Sequence, residues 1–130
     1  MEFEISGDEL VKKVEELSGQ NIFSCYQCGI CTGSCPFAAE MDLGPRRMIA
    51  SLIEGRAEVL QSNTPWICAS CFQCVVRCPN DIDIAAVSEA LRQMTQRKGI
   101  DHIDLSHIPA EERKRIPQIA FVGNFRRMTR

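Results

Sequence analysis

The chain has 130 residues, among them eight cysteines, with 15 basic and 17 acidic side chains and a formal net charge of −2. That length predicts one globular domain or two small ones, and an apolar content of 45% excludes wholesale disorder. The small negative charge argues against general nucleic-acid binding. No apolar run approaches the roughly 20 residues that a membrane-spanning helix needs, so we expect no membrane insertion.

The N-terminal segment predicts an amphipathic helix and no export signal. It is acidic and lacks a basic region followed by an apolar stretch, so we expect a cytoplasmic protein. Ser6 followed three residues later by Glu9 is a capping-box pattern, and Gly19 can end the helix. The apolar positions that follow the cap recur on one face of this helix, at Leu10, Val14 and Leu17.

The eight cysteines form two quartets of identical spacing. Each quartet reads C-x2-C-x2-C-x3-C, is followed directly by a proline, and has its counterpart at a constant offset of 43 residues. The first quartet is Cys25, Cys28, Cys31 and Cys35, and the second is Cys68, Cys71, Cys74 and Cys78. An internal duplication of this kind predicts two similar sites.

Three kinds of chemistry could use such quartets. A disulfide framework needs an oxidising compartment, and cysteines of one C-x2-C pair are poorly placed to join each other. A structural zinc site uses two C-x2-C pairs separated by a loop, which is a different pattern. A run of three closely spaced cysteines and a fourth before proline is typical of bacterial ferredoxins, whose thiolates hold [4Fe–4S] clusters. We therefore predict two [4Fe–4S] clusters as cofactors.

The ligand sets are expected to cross between the quartets. Proline biases the preceding residue away from the α region, which turns Cys35 and Cys78 away from their own runs. If residues 68–74 are helical, the first three cysteines of that run share one side of the helix. In two-cluster ferredoxins the fourth cysteine ligates the other cluster. We therefore expect the first cluster on Cys25, Cys28, Cys31 and Cys78, and the second on Cys68, Cys71, Cys74 and Cys35.

A helix is predicted after each quartet. Asp42 as N-cap, Pro45 in the first turn and Gly55 as terminator define one helix, whose apolar stripe is Met48, Ile49, Leu52 and Ile53. Asp83 and Gly99 define the other, whose stripe is Val87, Ala90, Leu91 and Met94. Because no segment alternates apolar and polar residues, we expect an all-α fold, with a helical ferredoxin domain over residues 1–100.

Residues 101–130 are predicted to be a C-terminal extension that docks a partner. From residue 97 onward the chain carries eight basic and four acidic side chains. Large apolar residues accompany them, namely Ile116, Ile119, Phe121, Val122 and Phe125, beside Arg126 and Arg127. Such a segment predicts an interface with a polar rim. The alternatives are a solvated basic tail and a segment that folds back over the N-terminal helix.

The sequence resembles the C subunit of heterodisulfide reductase and its bacterial homologues. The resemblance lies in the paired quartets, the spacer MDLGPRRMIASLIEG and the tail IPQIAFVGNFRRMTR, and it extends over roughly residues 15–130. It implies an α-helical ferredoxin fold that relays electrons between a flavin-containing subunit and a thiol/disulfide-active subunit with a CCG motif. That motif is absent from this sequence, so we expect an electron-transfer subunit without catalytic residues of its own.

Two other functions stay open. A free-standing soluble ferredoxin with two clusters would use the same quartets, as would the iron–sulfur subunit of an enzyme like succinate dehydrogenase or fumarate reductase. A structural zinc module is a more distant possibility. The apolar and basic tail favours a dedicated subunit, because a diffusing carrier usually presents a small, weakly binding surface.

Overall fold

The structure, a computed structural model, describes residues 5–96 and 104–128. The chain divides into two units, residues 1–98 and 99–130. Both units consist of helices and loops, and the described residues contain no strand, which confirms the predicted all-α fold. Within the same residues, no helix combines the length and apolarity needed to cross a bilayer.

The described residues of the first unit form six α-helices: α1 (Gly7–Ser18), α2 (Ile30–Ser34), α3 (Pro45–Ile53), α4 (Thr64–Ile67), α5 (Gln73–Arg77) and α6 (Ile84–Gln96). Single 3-10 turns connect them at Ile22–Ser24, Ala38–Glu40 and Ala57–Gln61. The second unit contains a 3-10 turn at Leu105–His107, then α7 (Ala110–Arg115) and α8 (Gln118–Met128).

Helix α1 has the predicted caps. The Ser6 hydroxyl oxygen accepts a hydrogen bond from the Glu9 backbone N–H at 3.4 Å. Gly19 adopts a left-handed conformation, with φ of 68°, and donates its N–H to the Glu15 carbonyl. Leu10 and Val14 are fully buried, so the face predicted from the sequence is the one that packs.

Helix α3 begins two residues later than a cap at Asp42 requires. Its N-cap is Gly44, with Pro45 in the first turn, so the predicted N-cap was wrong. The Asp42 carboxylate instead accepts hydrogen bonds from the backbone N–H of Leu43 at 2.6 Å and of Asn63 at 2.9 Å. Asp42 therefore ties the start of α3 to the segment that precedes the second quartet.

Helix α6 is capped as predicted. The Asp83 carboxylate accepts a hydrogen bond from the Ala86 N–H at 2.8 Å, within the first turn. The predicted stripe of α6 faces the core, with Val87, Ala90 and Leu91 buried and Met94 partly buried. Its predicted end at Gly99 lies outside the described residues.

The core forms where α1 packs against α3 and α6. It is filled by side chains of all three helices and of the 3-10 turns, including Leu10, Val14, Ile22, Met48, Ile49, Leu52, Val59, Val87 and Leu91. Next to this core, α2 and α5 pack against each other. These two short helices occupy equivalent positions of the duplication, since each residue of α5 lies 43 positions after its counterpart in α2. The core thus supports a pair of duplicated segments, and each segment carries one cysteine quartet.

Candidate metal centre

The first three cysteines of each quartet lie on an irregular loop and the start of a short helix. In the second quartet α5 starts only at Gln73, and the residues on either side of Cys71 have left-handed backbone, with φ of 52° at Ser70 and 61° at Phe72. Left-handed residues cannot be part of a right-handed helix, so residues 68–74 do not form the single helix considered as a possibility from the sequence. The loop turns around the site instead of presenting one helix face to it.

The first quartet repeats this backbone. Gln27 and Gly29, on either side of Cys28, have φ of 62° and 85°. They are the counterparts of Ser70 and Phe72 at the offset of 43 residues. The same loop conformation therefore occurs twice, although only one of the four left-handed positions is a glycine.

The fourth cysteine of each quartet directly follows a helix, and its own backbone is extended. Cys35 follows α2 with φ −78° and ψ 117°, and Cys78 follows α5 with φ −69° and ψ 120°. This is the effect expected of the prolines that come next. Because α2 and α5 pack against each other, each fourth cysteine leaves its helix beside the other quartet.

The eight thiols are brought together in two groups of four. The first cavity is lined by Cys25, Cys28, Cys31 and Cys78. The second cavity is lined by Cys35, Cys68, Cys71 and Cys74. Each cavity thus combines three cysteines of one quartet with the fourth cysteine of the other. The buried side chain of Ile84 lines both cavities, so they are close neighbours.

The walls of both cavities are mostly apolar. Ile49 and Ile82 line the first cavity, and Met48 and Ala85 line the second. Among the described residues, no three His, Cys, Asp or Glu side chains converge closely enough to share a single metal ion. The thiols instead surround a cavity, and four thiolate donors in an apolar surround suit a [4Fe–4S] cluster.

Burial and mutual proximity make two of the thiols weak acids in the metal-free chain. Desolvation raises the pKa of Cys74 to about 11, and the neighbouring Cys68, Cys31 and Cys71 thiolates act in the same direction. Desolvation likewise raises the pKa of Cys31, although hydrogen bonds from Thr32 oppose it. Cys31 and Cys74 would therefore have to give up their protons in order to hold iron as thiolates.

Several N–H groups point at sulfur in the first cavity. The Gln27 side chain donates from Nε2 to Cys25 Sγ at 3.3 Å, and its backbone N–H donates to the same sulfur at 3.4 Å. The Ile82 N–H donates to Cys78 Sγ at 3.4 Å. Sequence reasoning missed Gln27, since a glutamine between two cysteines carries no signal of its own.

Sequence reasoning also missed Arg92, which holds the loop of the second quartet. From α6, its guanidinium donates to the carbonyl oxygens of Pro65 at 2.9 Å and Cys68 at 3.1 Å. A third contact reaches Ser70 Oγ at 3.5 Å, and the Glu89 carboxylate pairs with the same guanidinium at 2.7 Å. Arg92 thus positions the backbone that carries the first two cysteines of this quartet.

Each cavity reaches the surface at the second cysteine of its main quartet. Cys28 and Cys71 are the two exposed cysteines. Exposed apolar side chains line both cavities, Ile30 at the first and Phe37 and Phe72 at the second. The exposed Tyr26 lies near Cys28, and desolvation and the nearby Cys28, Cys78 and Cys25 thiolates raise its pKa.

The sequence matches the family model of the 4Fe–4S dicluster domain over residues 21–82. It is also similar to proteins named as C subunits of heterodisulfide reductases. It is 40% identical over 91 residues to the C subunit of ferredoxin:CoB-CoM heterodisulfide reductase from Methanosarcina mazei, an alignment that covers 70% of this chain and 56% of that protein. It is 34% identical over 95 residues to the iron-sulfur C 2 subunit of CoB–CoM heterodisulfide reductase from Methanocaldococcus jannaschii, covering 73% and 47%.

A third relative is the C subunit of ferredoxin/F(420)H(2)-dependent CoB-CoM heterodisulfide reductase from Methanosarcina acetivorans. It is 39% identical over 93 residues, covering 72% of this chain and 57% of that protein. The chain spans about half the length of these curated relatives. The resemblance predicted from the sequence is thereby confirmed: the chain is similar to the heterodisulfide reductase C subunits and matches the 4Fe–4S dicluster domain. The predicted cofactors, two [4Fe–4S] clusters, are confirmed with it.

Proposed function

We propose that this iron–sulfur protein is the electron relay of a heterodisulfide reductase-type complex. In this proposal Cys25, Cys28, Cys31 and Cys78 ligate the first cluster, and Cys68, Cys71, Cys74 and Cys35 ligate the second. The observation that carries the proposal is the division of the eight thiols between two adjoining cavities, each with three cysteines of one quartet and one of the other.

In this proposal the chain holds the two clusters in position for electron transfer and provides their surroundings. When bound, the clusters supply one-electron chemistry. Ile84 contributes to the walls of both cavities, which supports a short path between them. The packing of α2 against α5 holds the two fourth cysteines in place. Apolar walls surround the other thiols, whereas Cys28 and Cys71 are exposed. No side chain of the chain needs to gain or lose a proton during the transfer.

The proposed partners are two protein subunits, one with a bound flavin and one with the thiol/disulfide-active CCG motif. The exposed Cys28 and Cys71 give each cavity its own contact with the surface, as a relay with separate entry and exit requires. The apolar side chains beside them suit contacts that exclude water. The disulfide chemistry itself belongs to the partner in this proposal, and the present chain is not catalytic.

The C-terminal unit is proposed as the docking arm. Its longest helix, α8, exposes an apolar residue at each successive turn: Ile119 is 74% exposed, Val122 45% and Phe125 68%. These positions recur at intervals of three residues and therefore share one face of the helix. An apolar face of this size next to basic residues suits a protein interface better than a free surface.

The test is purification of the tagged full-length chain, under strictly anaerobic conditions, from the cells that produce it. We expect about eight irons per chain, four for each cluster, and co-elution of a flavoprotein and a CCG-containing protein. If the chain carries eight irons but no partner co-elutes, the protein is a free-standing ferredoxin and not the subunit of a complex. Zinc in place of iron would contradict the proposal altogether.

A further inference from the structure

The two cavities differ in charge although their cysteine loops are copies. Among the described residues that line them, Arg46 is the only charged one, and it lines the first cavity. Its counterpart at the offset of 43 residues is Glu89, which pairs with Arg92 at 2.7 Å and does not line the second cavity. The duplication therefore places an arginine in the lining of the first cavity, whereas the Arg92 guanidinium that contacts the loop of the second quartet is paired with the Glu89 carboxylate.

Two residues of the first quartet, Thr32 and Gly29, lie next to Arg46. Its N–H donates to Thr32 Oγ1 at 3.0 Å, and Thr32 directly follows Cys31. The left-handed Gly29 faces the stem of Arg46, since a Cβ built on Gly29 would lie 3.5 Å from Arg46 Cδ. No carboxylate of the described residues forms an ion pair with Arg46. Arg46 thus lines the first cavity, and its charge is not neutralised by a described acidic neighbour.

We infer that Arg46 makes the first cluster the electron acceptor of the pair. The inference rests on the ligand sets proposed above. Reduction adds one negative charge to a cluster, and a nearby guanidinium stabilises that charge, which raises the reduction potential. The N–H groups of Gln27 and Ile82 that point at Cys25 and Cys78 act in the same direction. One electron supplied by an external reductant therefore settles on the first cluster, with no proton transferred and no bond formed.

The test is an anaerobic redox titration of the two-cluster protein with dithionite, followed by electron paramagnetic resonance. Wild type is compared with Arg46→Gln, and the matched control is Arg47→Gln, because Arg47 is the adjacent exposed arginine and lines neither cavity. When one electron is added per protein, it divides between the two clusters. We expect Arg46→Gln to lower the ratio of reduced first cluster to reduced second cluster about tenfold, which corresponds to a fall of about 59 mV in the potential of the first cluster relative to the second. Arg47→Gln should shift this ratio much less, because Arg47 lines neither cavity. A Cys28→Ala variant identifies the signal of the first cluster.

A charge-conserving variant guards against a structural artefact. Arg46→Lys should keep most of the wild-type distribution, and added salt should reduce the difference between wild type and Arg46→Gln. Equal shifts for Arg46→Gln and Arg47→Gln, or a shift for Arg46→Lys as large as that for Arg46→Gln, would overturn the inference. A wild-type chain that binds fewer than two clusters would instead contradict the proposed function, so the two failures are distinguishable.

Discussion

Two glycines bring the end of α3 against the start of α1. A Cβ built on Gly7 would lie 2.7 Å from the Gly55 carbonyl oxygen, which is closer than real Cβ contacts. Gly55 also has φ of 66°, a backbone conformation that side chains disfavour. At this point both residues therefore need to be glycine, one for space and one for space and conformation together.

We expect Gly55→Ala to lower the free energy of unfolding by about 2–3 kcal/mol, through left-handed strain and overpacking against Gly7. The measurement is urea unfolding under anaerobic conditions, followed by circular dichroism. The matched control is Gly33→Ala, because a Cβ at Gly33 meets no atom within 4 Å and its φ is not positive. Equal losses for the two variants would show that the contact between α1 and α3 is not as tight as described.

Asp42 joins two segments that are 21 residues apart in sequence. Desolvation is the largest single effect and raises the pKa of Asp42, but hydrogen bonds from the Asn63 backbone, the Thr64 hydroxyl and the Leu43 backbone together hold that pKa below its ordinary value of 3.8. A depressed pKa means that Asp42 stabilises the fold above the unfolded pKa, and that this contribution is lost as the pH falls through the folded value.

We therefore expect Asp42→Asn to cost about 1 kcal/mol of stability at pH 7, a value that allows for the exposure of the group. The difference from wild type should shrink as the pH falls towards about 4, where the unfolded carboxyl begins to protonate. Urea midpoints at several pH values measure it, with Glu16→Gln as the control, since Glu16 forms only an exposed pair with Lys13. A difference that grows on acidification would contradict the assigned role.

Asp42 and Asp83 show what sequence can predict at this scale. Both precede a helix and both have apolar neighbours, as Met41-Asp42-Leu43 and Ile82-Asp83-Ile84. Only Asp83 caps its helix, because Asp42 has a stronger set of donors in the distant segment around Asn63. Local pattern predicts a cap, but it carries no information about a partner brought close by the fold.

At the scale of helices and loops, the sequence again predicts the structure that depends on signals within the same segment. Caps and apolar stripes predicted α1, most of α3 and α6, since these signals lie within each helix. They did not predict the loop around Cys71, because Ser70 and Phe72 carry no preference for left-handed backbone. In the first quartet, Gly29 is a residue type that favours left-handed backbone. Because the two quartets are copies, this preference would have predicted left-handed backbone at the equivalent Phe72.

The loop of the second quartet depends on one contact from α6. Arg92 is 19% exposed and donates to carbonyls of Pro65 and Cys68. In Arg92→Ala these carbonyls lose their partner, and we expect the cluster at the second cavity to be lost first, with iron falling from about eight towards about four per chain under a chelator.

Iron analysis over time measures this loss. The control is Glu89→Gln, which removes the ion-pair partner of Arg92 and leaves the carbonyl contacts in place. That variant should retain iron like wild type, because a partly exposed ion pair contributes little. Equal iron loss in both variants would assign the effect to the ion pair rather than to the loop contact.

At the scale of the whole molecule, partner docking should be separable from cluster binding. The exposed face of α8 belongs to the C-terminal unit, whereas all eight cysteines belong to the first unit. We expect the double variant Ile119→Asp, Phe125→Asp to reduce retention of partner subunits at least about tenfold, because it places charge in an apolar interface.

The visible absorption and the iron content of that variant should stay as in wild type. Gln118→Asp is the matched control, since it adds a negative charge at an exposed polar position of the same helix. Loss of the clusters in the double variant would favour a tail that stabilises the cluster-binding unit instead of docking a partner.

Crossed ligation, in which each cluster takes its fourth ligand from the other quartet, is the central claim, and the iron content of two double variants tests it most directly. With crossed ligation, Cys28→Ala combined with Cys78→Ala damages one site and leaves four ligands at the other, whereas Cys28→Ala combined with Cys35→Ala damages both. We predict about four irons per chain in the first variant and far fewer in the second. The reverse result would contradict crossed ligation, because it would mean that each quartet holds its own cluster.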